Sequence, residues 1–161
     1  MGTRTIQWED PMTIPRAAAG RSGLELLQDV FRGKLPPPPI TATLRFIGTE
    51  VSEGRAVFTG DPDESLYNPI GVVHAGFAMT LLDSAMGCAV HSTLRAGEVY
   101  TTLETKVNLT RPITADTGRV RCEGTVLHRG GRIATAEGRL VAEATGKLLA
   151  HGTTTCLVMQ P

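Results

Sequence analysis

Polar and apolar positions alternate with a period of two along most of the second half of this chain, as they do in strands that bury one face. Leu103, Thr105, Val107 and Leu109 alternate with Thr102, Glu104, Lys106 and Asn108. The same rhythm predicts strands over residues 99–110, 118–128, 132–143 and 147–158, with HRGGR and EATGK as compact turns between the last three. Further upstream, Ile40, Ala42, Leu44 and Phe46 alternate with Thr41, Thr43 and Arg45. The turn signal SEG and then GRAVFTGD follow, so a hairpin is expected there. One segment breaks the rhythm. Residues 75–94 are Ala, Phe, Met, Leu and Val on nearly every side, which predicts a long helix.

Residues 1–20 show no clear period and read as an arm. SGLELLQDVFRG then predicts a short helix. Ser22 and Glu25 form a capping box, Leu24, Leu27 and Phe31 make an apolar stripe, and Gly33 suits the stop. The four prolines at 36–39 are expected to form an extended spacer. The organisation is therefore an arm, short helix and Pro-rich spacer over residues 1–39, and one domain over residues 40–159. A helix that is apolar all round must be enclosed. The economical enclosure is an antiparallel sheet of about six strands curled around it, an α+β architecture. The remaining strand edges and faces then call for a partner subunit.

Charge and cysteine content narrow the function. Sixteen Lys and Arg balance sixteen Asp and Glu, so the formal net charge is +0. That argues against a nucleic-acid surface but not against local cations gripping one phosphorylated ligand. No apolar run reaches the ~18 residues of a membrane span. The N-terminal sequence has neither the apolar core of a signal peptide nor, with Ile6 at the sixth position, a myristoylation pattern. Cys88, Cys122 and Cys156 are odd in number, far apart and set in apolar segments. They read as buried free thiols of a cytoplasmic protein rather than as disulfides or metal ligands.

The chemistry lies in NPIGVVHAGFAMTLLDSAMGCAV. Asp83 falls in the middle of the apolar helix, where burying an unpaired carboxylate costs several kcal/mol. His74 stands at the helix start. The amides of Ala75 and Gly76 follow in the first turn, at the positive end of the helix, a ready site for a developing oxyanion. The small side chains at 75 and 76 let a ligand approach the backbone. Asn68 and His74 bracket a loop that can reach an acyl carbonyl. Taken singly, His74 reads more readily as a helix cap or a hydrogen-bonded structural histidine and Asn68 as a turn residue, whereas Asp83 is less readily one half of a structural pair; together the three point to a site. Asp83 lies eight residues beyond Ala75, about 12 Å along the axis, too far for one small carbonyl to touch both. Two antiparallel helices related by a two-fold axis remove that difficulty, because each brings its Asp83 to the other's N-terminus.

Asn68, His74, Gly76 and Asp83, spaced N-x5-H-x-G-x6-D, resemble the motif of the hotdog-fold acyl-CoA thioesterases of the phenylacetate-pathway (PaaI-type) group, within the 4-hydroxybenzoyl-CoA thioesterase superfamily. The resemblance covers residues 40–159, and SGLELLQDVFRGKLPPPPI is similar to the N-terminal extension of one branch. It implies a hotdog fold and hydrolysis of an acyl-CoA to free acid and CoA. Asp83 matches the catalytic carboxylate, as nucleophile or as general base. The family's His-Gly-Gly becomes His74-Ala75-Gly76 here, so the polarising amide falls on Ala75 and a methyl crowds the carbonyl. Asn68 and His74 match positioning residues, and Thr102 matches a Ser or Thr that holds the attacking water. CoA contacts are implied at Thr110, Arg111 and Pro112, and at His128, Arg129, Gly130, Gly131 and Arg132. Arginines there can pair with phosphates, and the two glycines let backbone amides approach. Taken singly, each arginine is equally a solvated loop residue. No metal or redox cofactor is implied, coenzyme A being part of the substrate. The expected partner is a second copy of the chain, in a dimer or a dimer of dimers. The rival readings are a non-catalytic acyl-CoA sensor, a hotdog dehydratase or hydratase, and a purely structural dimer domain.

Overall fold

In the computed structural model, which describes residues 1–160, the long apolar segment is one helix, and a single antiparallel sheet curves around it. Three short helices come first: α1 (Thr13–Ala17), α2 (Gly23–Phe31) and α3 (Pro39–Leu44). The hairpin β1 (Phe46–Ser52) and β2 (Arg55–Gly60) follows, then the central helix α4 (Ala75–His91). The chain ends with β3 (Val99–Leu109), β4 (Val120–Arg129), β5 (Ile133–Ala142) and β6 (Leu148–Met159). The strand order is β1-β2-β4-β5-β6-β3, which leaves β1 and β3 as the two edges. A six-stranded curved antiparallel sheet around one long helix, preceded by short helices, is the hotdog fold.

The sheet closes on α4 because its inner face is short where the helix passes. Phe77, Leu81, Leu82, Ala85, Met86 and Val90 of α4 are almost wholly buried. Opposite them, Gly124 of β4 pairs with Gly138 of β5. A Cβ at Gly124 would fall 2.4 Å from the backbone carbonyl carbon and oxygen of Ala85, and one at Gly138 would lie 3.0 Å from the Leu82 and Met86 side chains. The glycines let strand and helix backbones touch.

Local signals explain most boundaries. The Ser22 side chain accepts from the Glu25 amide while Glu25 reaches back to the Ser22 amide, the expected capping box. The α2 start packs on the α4 end, with Gly23 N–H donating to the Leu94 carbonyl at 3.0 Å.

Two expectations fail. The alternation from Ile40 is not a strand: residues 39–44 form α3, with Pro39 in its first turn and Arg45 closing it in the left-handed region at φ 57°. Proline presets helical φ at that position, and Thr41, rather than its apolar neighbours, is the buried residue. Nor is α4 enclosed on every side, since Met79 is 45% exposed and Asp83 beside it is exposed too. The sheet wraps the other faces and leaves a stripe through Met79 and Asp83 uncovered.

The contact at Gly124 yields a stability test. Gly124→Ala pushes a methyl into the Ala85 backbone, so urea unfolding is expected to show a loss of about 1–3 kcal/mol. Gly131→Ala, with nothing within 4 Å of the new Cβ, is expected to stay within about 0.5 kcal/mol of the parent. Equal stability of the two variants refutes the close approach.

Candidate active site

The start of α4 is set by its own side chain. His74 caps the helix, its Nδ1 accepting the Gly76 amide at 2.9 Å. With Nδ1 as acceptor, the proton of the neutral ring sits on Nε2. The cap also changes which amides are free. Gly76, expected to offer one, is engaged by His74. The Ala75 N–H donates to no group among the described residues. It stands at the positive end of a helix of 17 residues.

The loop before the cap is tied in place. Asn68 Oδ1 accepts from the amides of Ile70 at 3.1 Å and Val72 at 3.3 Å. This closes a tight turn that includes Gly71 at φ 80°. The Asn68 carbonyl oxygen is thus a turn element, and only its amide NH2 remains for a ligand. Val73 N–H donates to the Ile113 carbonyl and His74 N–H to the Leu66 carbonyl. These bonds draw the loop against the segment after β3. A groove of about 320 Å³ results, lined by Asn68, His74, Ala75, Thr110, Arg111 and Pro112 among others. Six of the expected site residues therefore meet around one cavity. Arg111 reaches back to the Leu148 carbonyl at 2.7 Å through one nitrogen, and its side chain is otherwise exposed.

Asp83 lies further along α4, beside a second shallow cavity of about 310 Å³ that Met79, Thr80, Thr105 and Val107 also line. Its Oδ1 receives two hydroxyl hydrogen bonds, from Thr102 and from Thr105, both at 3.2 Å. Among the described residues Oδ2 receives none, so the pair fixes the carboxylate and leaves one oxygen pointing to open space. Thr102 was expected here, but Thr105 was not. Strict alternation sends residues 102 and 105 to opposite faces. A β-bulge between Thr102 and Glu104 inserts Leu103 and turns both threonines inward.

The segment from His128 to Arg132 forms the β4–β5 turn at the other end of β3. There Arg129 pairs with Glu98 at 2.9 Å. The Arg95 amide and then Arg129 hold the Glu98 carboxyl below its usual range. Arg129 is thus already partnered, and its buried Nε has no acceptor among the described residues. His128, Gly131 and Arg132 are exposed, and Gly130 is half-buried. With β3 11 residues long, this turn and Arg111 lie roughly 30 Å apart within one chain. One protomer does not bring the two arginine groups together.

A conserved protein of Pseudomonas aeruginosa has a similar structure: 31% identity, TM-score 0.68, covering 74% of this chain and 93% of that one. A phenylacetic acid degradation-related protein from Ralstonia eutropha aligns at 28% identity and TM-score 0.72 over 81% of this chain and 97% of its own. A thioesterase family protein from Silicibacter pomeroyi does so at 28% and 0.72, over 84% and 96%. No functionally curated protein matches the chain. The model of the thioesterase superfamily matches residues 70–149, from the loop before His74 through the helix that carries Asp83 to the start of the last strand. With that match and those structural relatives, this chain belongs to the thioesterase superfamily.

Proposed function

We propose that the protein hydrolyses an acyl-CoA thioester to free acid and CoA, at a site assembled from two copies of the chain. The observation that carries this reading is the state of Asp83. Its carboxylate is exposed on an otherwise apolar helix and is held through one oxygen by Thr102 and Thr105. A structural carboxylate has no need of an open side. The Ala75 amide supplies the complementary part, a fixed donor where the carbonyl oxygen becomes an oxyanion. Asp83 either takes a proton from the attacking water or attacks the carbonyl itself, forming an anhydride that water then opens. In both cases the carbon–sulfur bond breaks and CoA leaves as the thiol.

Geometry supports the two-chain assembly. Ala75 and Asp83 of one chain are about 12 Å apart along the helix axis. β3 is a sheet edge, and Leu103 and Leu109 on it are both about half exposed. Two β3 edges paired antiparallel would set the Val99 end of one chain beside the Leu109 end of the other. That arrangement would bring the partner's turn around Arg132 toward this chain's Arg111, and the two helices would face each other through Met79 and Asp83. Arg111 and Arg132 then serve the CoA phosphates, while Arg129 stays with Glu98.

Asp83→Asn keeps size and exposure and removes the charge, so thioester hydrolysis is expected to fall at least a hundredfold with thermal stability unchanged. Unaltered turnover on the best acyl-CoA removes Asp83 from the chemistry. Ala75→Pro tests the amide separately. Proline suits the first helical position and has no N–H, so a folded protein with kcat lower by about 10²–10³ is expected.

Mixing the two inactive variants tests the shared site. A heterodimer of Asp83→Asn with Ala75→Pro rebuilds one complete site of two, so a refolded equal mixture is expected to regain about a quarter of parental activity. A mixture that stays inactive while forming heterodimers places both groups in one chain. For the nucleotide, Arg111→Ala is expected to raise KM for the CoA ester and spare kcat, with no effect on the matching N-acetylcysteamine thioester. An equal change with both substrates would falsify the phosphate assignment.

A further inference from the structure

Beyond these two grooves, the protein holds a third cavity of about 500 Å³, between the N-terminal helices and the far end of α4. Ile14 of α1 and Val30 and Phe31 of α2 line one side, Ile47 of β1 another, and Cys88 and His91 of α4 the third. The carbon surface exposed in it far exceeds the polar surface, and no Lys, Arg, Asp or Glu lines it. Its two ionisable groups are uncharged at neutral pH. Burial raises the Cys88 thiol to about 12 and lowers the His91 imidazole below its ordinary value. The pocket is half open to solvent rather than an enclosed void, and its volume is that of a small-molecule site.

The position of the cavity suggests its occupant. Cys88 and His91 follow Asp83 on the same helix by five and eight residues, about 7.5 and 12 Å along the axis. Tyr100 stands between. Its hydroxyl lies where a side chain at Gly87 would be, and its ring centroid is 5.4 Å from that of His91. The Tyr100 hydroxyl has no hydrogen-bond partner among the described residues, but its ring is packed against the core, on Gly87 and His91. It sits on the same strand as Thr102, two residues before it. The two cavities share no lining residue, so a chain leaving the carbonyl at Asp83 has to turn this one aromatic ring aside to reach the apolar chamber.

We propose, resting on the thioesterase reading above, that this chamber receives the hydrocarbon tail of the acyl group and selects medium-length saturated chains, long enough to span the roughly 7.5–12 Å from Asp83 to Cys88 and His91. CoA phosphates find no cation there. The N-terminal helices, which lie outside the 70–149 match, form its roof and so set chain length.

The test is a chain-length series of acyl-CoA esters from acetyl to palmitoyl, on the parent and on Val30→Trp and Ile14→Trp, two fillings from different helices. The parent is expected to show its highest kcat/KM between octanoyl and dodecanoyl. Each folded variant is expected to lose at least tenfold on decanoyl-CoA and to keep butyryl-CoA within twofold. A parent that prefers butyryl or shorter esters overturns the proposal, and so do variants that lower all lengths alike. Calorimetric titration with decanoic acid needs no turnover and separates the two readings. Decanoate bound by the parent and lost in the variants, with no ester hydrolysed, upholds the chamber and removes the hydrolase. Hydrolysis with decanoyl-CoA and decanoate untouched by either tryptophan upholds the hydrolase and removes the chamber.

Discussion

Everything in this protomer depends on enclosing a helix that has no broad polar face. α4 offers Phe77, Leu81, Leu82, Met86 and Val90 to the sheet, and the sheet closes over them because Gly124 and Gly138 let backbones meet. The enclosure stops along one stripe, where Met79 and Asp83 face outward. A surface of that kind suits neither water nor core: a large thioether beside a carboxylate is a poor solvent face, and a carboxylate is a costly core residue. It suits a boundary between two chains, where the apolar part is covered and the charge meets a ligand.

Much of this was legible in the sequence because the signals were local. The capping box of Ser22 and Glu25, the span of α4 and the four C-terminal strands follow from periodicity and turn residues, and the structure keeps them within a few positions. Asp83 stood out because its chemistry contradicts its surroundings. What escaped depended on non-local facts. The bulge at Leu103 has no sequence signature, and alternation alone puts Thr105 on the face opposite Thr102. The alternation around Ile40 was real but short, and Pro39 at a helix start outweighed it. Arg129 resembles any other loop arginine until Glu98, far away in sequence, is folded against it.

Two backbone irregularities do most to turn the scaffold into a site. The His74 cap takes the Gly76 amide and so isolates the Ala75 amide as the one unpaired donor of the pair. The bulge in β3 brings a second hydroxyl to the same carboxylate oxygen, which fixes the rotamer and leaves the other oxygen open. Neither device needs an unusual residue. A histidine, two threonines and one inserted leucine suffice, because each acts through where it places a hydrogen bond.

The N-terminal helices then acquire a reason to be where they are. Gly23 lies against the end of α4 so closely that a Cβ there would fall 1.8 Å from the His91 carbonyl oxygen. The arm is thereby fixed to the same rigid helix that carries the cap at its start and the carboxylate at its middle. A helix of 17 residues spans about 25 Å, so the three features are spaced by its pitch rather than by flexible loops. On this reading α4 measures the substrate: the amide at its start and the carboxylate at its middle, one from each chain, hold the carbonyl, and the arm at its end bounds the tail. Changing the arm should therefore change which chain fits without disturbing how the bond is broken.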